Sequence, residues 1–280
     1  MDRVRATGAP YRPHLTDSAR PSTYEVRAVD EHGEARAVPV AGEHPLTIYV
    51  DKRELITLMT LGAAPEALAL GYLRNQRLVA SIDDIVAVQV DWETNSCAIR
   101  TRNGLVDIEG KTARRTKTSG CGQGTMFGDL MDEIDDVRLP PGATLSQATL
   151  YDLLDRVRLH ETIYKQAVAV HGCALAANDA TTSEIIMFVE DVGRHNAVDA
   201  IAGRMWLDRL EGADKIFYTT GRLTSEMVIK AARMGIPFLV SRSGLTQMAW
   251  EIARCVGLTL IGRARNRHYL VYTGAGRFTR

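Results

Sequence analysis

Cys121 is the residue whose surroundings most strongly indicate covalent chemistry. It lies in the segment TSGCGQGT (118–125), where glycines permit backbone conformations that other residues avoid. Residues 111–117 carry four basic side chains just upstream. Nearby positive charge lowers the pKa of a thiol and favours the nucleophilic thiolate. The segment predicts one reactive sulfur on a glycine-rich loop, with an incidental loop cysteine as the alternative.

Three further segments share a layout in which a strand runs into a polar turn and then a helix. They are FVEDVGRHN (188–196), YTTGRLTSE (218–226) and VSRSGLT (240–246). In parallel sheets, ligands bind beyond the carboxyl ends of the strands, where helix N-termini and arginine side chains can hold phosphate. Together the turns predict a site for a phosphate-bearing ligand. The candidate contacts are Arg194, His195, Arg222, Ser225, Ser241 and Arg242.

The other polar residues of these turns allow two interpretations. Glu190, Asp191 and His195 could form an acid/base set, or His195 could have only a structural role at a helix start. Ser225 and Glu226 also fit ordinary helix-start positions. Within the following helix, we expect the carboxylates at positions 199 and 208 to be solvated.

A basic run between two strand patterns could add to the same site. The run consists of Arg263, Ala264, Arg265, Asn266, Arg267 and His268. It predicts either a solvated hairpin turn or a clamp for the phosphates of a dinucleotide.

The composition indicates a globular protein with a substantial core. The chain has 280 residues, of which 45% are hydrophobic and 24% charged, and its formal net charge is zero. Zero net charge argues against a general nucleic-acid coat protein. No apolar run reaches the roughly 20 residues that a membrane span needs, and no secretory signal is evident. We therefore expect a cytoplasmic protein that binds neither nucleic acid nor membrane.

The chain divides by pattern into four parts. Residues 1–22 are predicted to be a flexible N-terminal tail, and 23–115 a small α+β domain. Residues 116–142 form the predicted cysteine-bearing mobile loop and linker, and 143–280 an α/β domain. In the last part, strand patterns alternate with helical ones, which indicates a layered sheet of parallel strands. The predicted strands there are 167–176, 184–189, 215–219, 237–240, 258–262 and 268–272, and the helices begin near 146, 195, 224 and 247.

The sequence His171-Gly172-Cys173 raises the question of zinc. Cytidine-type deaminases carry H-x-E followed by P-C-x-x-C. Here Cys173 occupies the glutamate position, and neither P-C-x-x-C nor any other CxxC pair occurs. We expect no zinc, and we expect Cys173 to be a small core residue. The remaining cysteines are too widely separated to indicate a disulfide scaffold.

Several motifs in order resemble one family. EDVGRHNAVD (190–199), GRLTSEM (221–227), GIPFLVSRS (235–243) and LTLIG (258–262) are similar to signatures of the formate dehydrogenase accessory sulfurtransferases. The Cys121 loop falls where that family keeps its sulfur-carrying cysteine. The resemblance spans about residues 45–272.

This resemblance implies a function and a set of partners. A cysteine desulfurase would load a persulfide onto Cys121. The sulfur would then pass to a molybdenum (or tungsten) bis(molybdopterin guanine dinucleotide) cofactor, a bound cargo destined for the formate dehydrogenase catalytic subunit. The resemblance also implies a cytidine-deaminase-like core that lacks the zinc motif, and a homodimer.

The sequence departs from the family at one position. Many relatives carry C-x-x-C in the loop, whereas Gly124 stands at the second cysteine position here. A disulfide within this loop is therefore impossible, but thiolate attack needs only one sulfur. Two rival functions stay open at this point: a cofactor-binding chaperone without sulfur transfer, and a metal-dependent nucleotide hydrolase or deaminase.

Overall fold

The computed structural model describes residues 10–105, Ile134 and residues 137–280. Cys121, its basic neighbours and most of the predicted loop and linker lie outside the described residues. None of the helices in the described ranges is long and apolar enough to cross a membrane.

The N-terminal part contains a five-stranded sheet and a separate hairpin. The strand order in the sheet is β1-β6-β7-β4-β5, and β2 pairs with β3. The strands are β1 (His14–Leu15), β2 (Thr23–Val29), β3 (Ala35–Ala41), β4 (His44–Val50), β5 (Arg53–Thr60), β6 (Ile85–Asp91) and β7 (Ser96–Thr101). Helix α1 (Pro65–Asn75) starts at a proline. Proline suits this position because it has no backbone N–H, and an N–H in the first turn would have no acceptor within the helix. A short 3₁₀ helix (Ile82–Asp84) precedes β6.

The C-terminal part is built on a six-stranded sheet with the order β10-β9-β11-β12-β13-β14. The strands are β8 (Leu145–Ser146), β9 (His171–Ala177), β10 (Ile185–Asp191), β11 (Lys215–Thr219), β12 (Phe238–Ser241), β13 (Thr259–Arg265), β14 (His268–Val271) and β15 (Phe278–Thr279), of which β8 and β15 pair separately. The helices are α2 (Gln147–His160), α3 (Ile163–Ala167), α4 (Arg194–Leu207), α5 (Ser225–Arg233) and α6 (Gln247–Val256), with a 3₁₀ turn at Ala275–Arg277.

Alternating side chains on the central strands divide the C-terminal core into two layers. Ile216 and Tyr218 face the cluster that α2 contributes to, whereas Phe217 between them faces the cluster of α4, α5 and α6. Successive strand residues point to opposite faces of a sheet, so both faces of this sheet are covered by helices. The result is a mixed α/β fold of three layers.

The structure corrects the prediction of a parallel sheet. Strands β11, β12 and β13 are parallel to one another, but β9 runs antiparallel to both of its neighbours, and β14 is antiparallel to β13. The antiparallel direction of β9 places its first residue, His171, at the same edge as the last residues of β11 and β12.

One predicted strand boundary is also wrong. Residues 163–167 form helix α3, so the strand predicted from 167 begins only at His171, after Val168 ends the helix in the left-handed conformation. Within residues 10–22 of the predicted tail, β1 pairs with β6 and the Tyr11 hydroxyl donates to the carbonyl of Ile85. Residues 1–9 lie outside the described part of the chain.

Helices α1 and α4 cross at two glycines, and this contact joins the N-terminal sheet to the C-terminal one. A Cβ added at Gly71 would lie 1.6 Å from the carbonyl oxygen of Asp199, and one added at Gly203 would lie 1.9 Å from that of Ala67. Both obstacles are backbone atoms, which cannot rotate away. The close approach therefore requires glycine at both positions.

A Gly203→Ala variant is expected to lose about 3 kcal/mol or more of its free energy of unfolding, because the extra methyl forces the two helices apart. Urea denaturation measures the change. Gly142→Ala is the matched control, since a Cβ at Gly142 meets no heavy atom within 4 Å. Equal stability of the two variants would contradict the proposed helix contact.

Candidate active site

The candidate site lies at one edge of the six-stranded sheet, where the predicted turns meet. Thr219 at the end of β11 pairs with Ser241 at the end of β12, and also with Cys173 on β9. His171 at the start of β9 pairs with Asp191 at the end of β10. Three strand ends and one strand start therefore supply the three arginine turns and one histidine to a single edge.

The arginines of all three turns act electrostatically on His171. Burial lowers the pKa of this half-buried imidazole below 6.5, and the charges of Arg194, Arg222 and Arg242 lower it further. The structure thus brings together arginines that are separated by up to 48 positions in the sequence. Burial and the three arginine charges therefore all disfavour protonation of His171.

Hydrogen bonds and close contacts join the turns to one another. The backbone N–H of Thr220 donates to the carbonyl of Gly172 (2.9 Å), and the N–H of Arg242 donates to the carbonyl of Thr219 (3.2 Å). A Cβ at Gly221 would lie 2.8 Å from Cδ of Arg194, so the Arg194 side chain crosses the second turn directly above its glycine. The turns form one connected unit.

A pocket of about 320 Å³ opens between this edge and the N-terminal sheet. Strand β5 and the residue before β4 supply one wall, and the start of α4 and His171 supply the other. The lining residues are Glu43, Thr57, Leu58, Met59, His171, Val192, Gly193, Arg194, His195 and Asn196. The pocket therefore meets the N-terminus of a 14-residue helix, a position that favours anions.

His195 forms a buried pair with Glu226. Its Nε2 lies 3.1 Å from a carboxylate oxygen of Glu226, and the residue is only 5% exposed. Burial lowers the pKa of His195, and the positive charges of Lys230 and Arg194 lower it further. Burial raises the pKa of Glu226, although the same two cations oppose that rise.

Asp199 is not a solvated helix position as predicted. It is fully buried, its carboxylate lies 2.8 Å from Nζ of the equally buried Lys230, and it accepts a hydrogen bond from the Asn75 side chain at 2.7 Å. The ion pair connects α4 to α5, and Asn75 ties both to α1. Such a pair needs both partners, because a single buried charge is strongly unfavourable.

The hydrogen bonds of the Glu190 and Asp191 carboxylates favour a structural role for both, the alternative to an acid/base set. Glu190 accepts four hydrogen bonds from residues 162–164 and thereby caps α3. Asp191 accepts from Thr60 and Leu61 on one side, and from the Gly193 N–H and the Asn196 side chain on the other. It therefore fastens the first turn to the end of β5.

Two residues of the third turn are already engaged within the protein. The Ser241 hydroxyl is fully buried, donates to the carbonyl of Gly221 at 2.6 Å and accepts from the Ser243 N–H, so it braces two turns instead of facing the pocket. The Arg242 guanidinium lies 3.1 Å from a carboxylate oxygen of Glu161 and 5.1 Å from the ring centre of Tyr164.

Ser225, the candidate from the second turn, is the first residue of α5.

The basic run joins the site through its first residue only. The Arg263 N–H donates to the carbonyl of Ser243 at 2.9 Å. Ala264 is buried, whereas the Arg267 guanidinium bonds to Asp155 and lies over Tyr151, on the side of α2. Of the remaining members, Arg265 at the end of β13 pairs with His268 at the start of β14, Asn266 lies in the turn between them, and all three are exposed. The hairpin interpretation describes these positions, and the clamp stays a prediction.

Three cysteines lie in the described part of the chain, and they differ in exposure. Cys173 is fully buried, as predicted for a core residue, and burial raises the pKa of its thiol to about 12. Burial also raises the pKa of Cys97, whereas Cys255 is exposed. Among the described residues, no group of three or more His, Cys, Asp or Glu side chains could hold a metal ion.

Comparison with known proteins identifies the family to which the chain belongs. A model of the FdhD/NarQ family matches residues 41–279. The chain belongs to the FdhD/NarQ family. This confirms the resemblance drawn from its motifs.

Two bacterial members of the family are similar to this chain over most of their length. The chain is 27% identical over 238 residues to the sulfur carrier protein FdhD of Wolinella succinogenes, covering 85% of this chain and 82% of the relative. It is 30% identical over 243 residues to the FdhD protein of Listeria monocytogenes serotype 4b, covering 86% and 91%.

A solved structure shares the fold. It is a protein from Desulfotalea psychrophila described as a candidate formate dehydrogenase accessory protein, with a TM-score of 0.72 and 25% sequence identity. The match covers 92% of this chain and 100% of that one. The similarity therefore includes the N-terminal sheet as well as the C-terminal one.

The convergence of the arginine turns of this FdhD/NarQ protein can be tested through the titration of His171. An Arg222→Ala variant is expected to raise the pKa of His171, because removing a positive charge favours the protonated ring. Histidine NMR titration measures the change. Arg204→Ala, which removes an exposed arginine from the far end of α4, is expected to leave that pKa unchanged. An unchanged value in Arg222→Ala would place the second turn away from His171.

Proposed function

We propose that this protein is a sulfur carrier that accepts sulfur as a persulfide on Cys121 and transfers it to a molybdenum (or tungsten) bis(molybdopterin guanine dinucleotide) cargo. A cysteine desulfurase is the donor, and the formate dehydrogenase catalytic subunit receives the cargo. The protein acts in the cytoplasm as a homodimer, and its C-terminal core is cytidine-deaminase-like and lacks the zinc motif. The observation that carries the proposal is that the sheet brings the three arginine turns and His171 to a single edge.

The loading step needs one thiolate. The Cys121 thiolate attacks the outer sulfur of the donor's persulfide, so that a new S–S bond forms on Cys121 and the donor's S–S bond breaks. The donor cysteine leaves as a thiolate, and no net oxidation or reduction takes place. Gly124 in the second position of the loop does not interrupt this step, which uses a single sulfur.

Delivery returns Cys121 to its starting state. The S–S bond on Cys121 breaks, the thiolate is regenerated and the outer sulfur moves to the metal of the cargo. The metal supplies the two electrons that convert this sulfur to sulfide and is itself oxidised by two electrons. Cys121 is therefore ready for another cycle without a second loop cysteine.

The arrangement of cations supports a polyphosphate cargo. Arg194 lies at the N-terminus of α4, where the helix dipole adds to its charge, and Arg222 is exposed on the neighbouring turn. The positive charge of Arg242 is partly offset, because the Glu161 carboxylate forms an ion pair with it. Arg222, which is exposed, and Arg194, which lies at the helix N-terminus, are the principal phosphate contacts in this proposal.

Binding of guanosine diphosphate (GDP) tests the assignment of the arginine turns as the phosphate site. Loss of one arginine–phosphate contact removes a charge-assisted hydrogen bond worth roughly 1.5–3 kcal/mol. Arg222→Ala should therefore raise the Kd for GDP about tenfold or more in calorimetric titration. Arg204→Ala, with the same change in net charge, should leave it unchanged. If the two variants bound GDP with equal affinity, the proposal that the arginine turns bind the cargo would be wrong.

A further inference from the structure

His195 has one ring nitrogen that lacks a partner among the described residues. Its Nε2 is 3.1 Å from the Glu226 carboxylate, whereas no described group hydrogen-bonds to the buried Nδ1. The ring lines the pocket beside His171 and Arg194. A buried polar atom without a partner is costly, and such atoms in native proteins call for an explanation.

The Glu226 carboxylate determines which nitrogen carries the hydrogen. A carboxylate can only accept, so Nε2 must donate to it. Burial disfavours a positively charged His195, and the cations Lys230 and Arg194 add to that effect; the same cations favour the ionised form of Glu226 against the opposing effect of burial. A neutral ring has a single N–H, and with that hydrogen on Nε2, Nδ1 is left as an acceptor.

We infer that Nδ1 of His195 accepts a hydrogen bond from an N–H or O–H group of the ligand in this pocket, and that Glu226 is the positioning residue that fixes the required tautomer. An anionic group alone is then not enough: the ligand must also present a hydrogen-bond donor beside its phosphates. Phosphate oxygens cannot fill this role, because at neutral pH they offer acceptors. This is more specific than the predicted contact between His195 and a phosphate-bearing ligand.

The inference rests on the proposed function, in which the cargo carries guanosine phosphates. A guanosine nucleotide offers ring N–H, amino and ribose hydroxyl donors next to its phosphates, so it meets both requirements. Inorganic pyrophosphate offers the charge without those donors. The two ligands therefore separate the contribution of Nδ1 from that of the arginines.

The direct test is ¹⁵N NMR of the full chain with labelled histidine. The sequence contains seven histidines, and a His195→Asn spectrum assigns the resonance of interest. In the free protein, His195 is expected to carry its hydrogen on Nε2. Saturating GDP should shift the Nδ1 resonance in the direction of a hydrogen-bonded acceptor, whereas pyrophosphate should not.

Three variants at position 195 supply a second readout. The Asn side chain can place an acceptor near the Nδ1 position, whereas Gln reaches toward the Nε2 position and Ala reaches neither. We expect His195→Gln and His195→Ala to weaken GDP binding about tenfold, and His195→Asn to restore most of the affinity. Pyrophosphate binding should be alike in all three.

The outcomes are distinguishable. If GDP binds and the Nδ1 resonance does not move, the inference is overturned while the arginine pocket stands. If the hydrogen of free His195 resides on Nδ1, the assigned role of Glu226 is overturned. If GDP does not bind at all, the nucleotide cargo of the proposed function fails, and this inference fails with it.

Discussion

A Cys121→Ser variant is expected to abolish formate dehydrogenase maturation, whereas Cys255→Ser should leave it at the wild-type level. A serine hydroxyl cannot form a persulfide, so the proposed carrier loses its cargo completely. Cys255 is the appropriate control because it is the exposed cysteine of the described residues, while Cys97 and Cys173 are buried. Formate dehydrogenase activity in cells that depend on each variant measures the effect.

The same assay separates sulfur transfer from simple cofactor binding. A chaperone that only holds the cofactor would tolerate Cys121→Ser and fail in Arg222→Ala. The sulfur carrier loses all activity in Cys121→Ser and part of it in Arg222→Ala. Full activity of Cys121→Ser would therefore contradict the proposal and favour the chaperone.

A Lys230→Met variant is expected to lose about 3–5 kcal/mol of stability, which is the usual cost of breaking a buried pair at one partner. The Asp199 carboxylate is fully buried, and Lys230 supplies its compensating charge at 2.8 Å. Removing the ammonium group leaves that charge uncompensated between α4 and α5. Urea denaturation measures the loss.

Two further variants isolate the electrostatic part of this effect. In Asp199→Leu/Lys230→Met both charges are absent, so the double variant should be more stable than Lys230→Met alone. Arg156→Met breaks a partly exposed pair with Asp152 and should cost less than about 1 kcal/mol. If Lys230→Met cost no more than Arg156→Met, the buried pair would not be holding the helices together.

Most of the regular elements were predictable because their signals are local. The apolar pattern over 215–219 and the Pro65 helix start give β11 and α1 with little error. Helix α3 was not predictable in the same way, because its cap is the carboxylate of Glu190, 26 to 28 residues further along the chain. A cap at that distance leaves no local pattern.

The residue types of the site were predictable, but the strand directions and side-chain pairs that bring them together were not. The Gly-Arg turns indicated a phosphate site, yet the position of His171 depends on the antiparallel direction of β9, which apolar periodicity does not specify. Asp199 had the appearance of a solvated helix residue because its partner, Lys230, is on another helix. The pairing of His195 with Glu226 was likewise hidden, since both residues fit ordinary helix starts.

Mass spectrometry after incubation with a cysteine desulfurase and cysteine identifies the residue that carries the sulfur. We expect the wild-type chain to gain the mass of one sulfur atom, the addition to map to the peptide containing Cys121, and a thiol reductant to remove it. Cys121→Ala should gain nothing, and Cys255→Ser should gain as much as the wild type. An added sulfur on Cys121→Ala, or one that maps to Cys255, would contradict the assignment of Cys121 as the sulfur carrier.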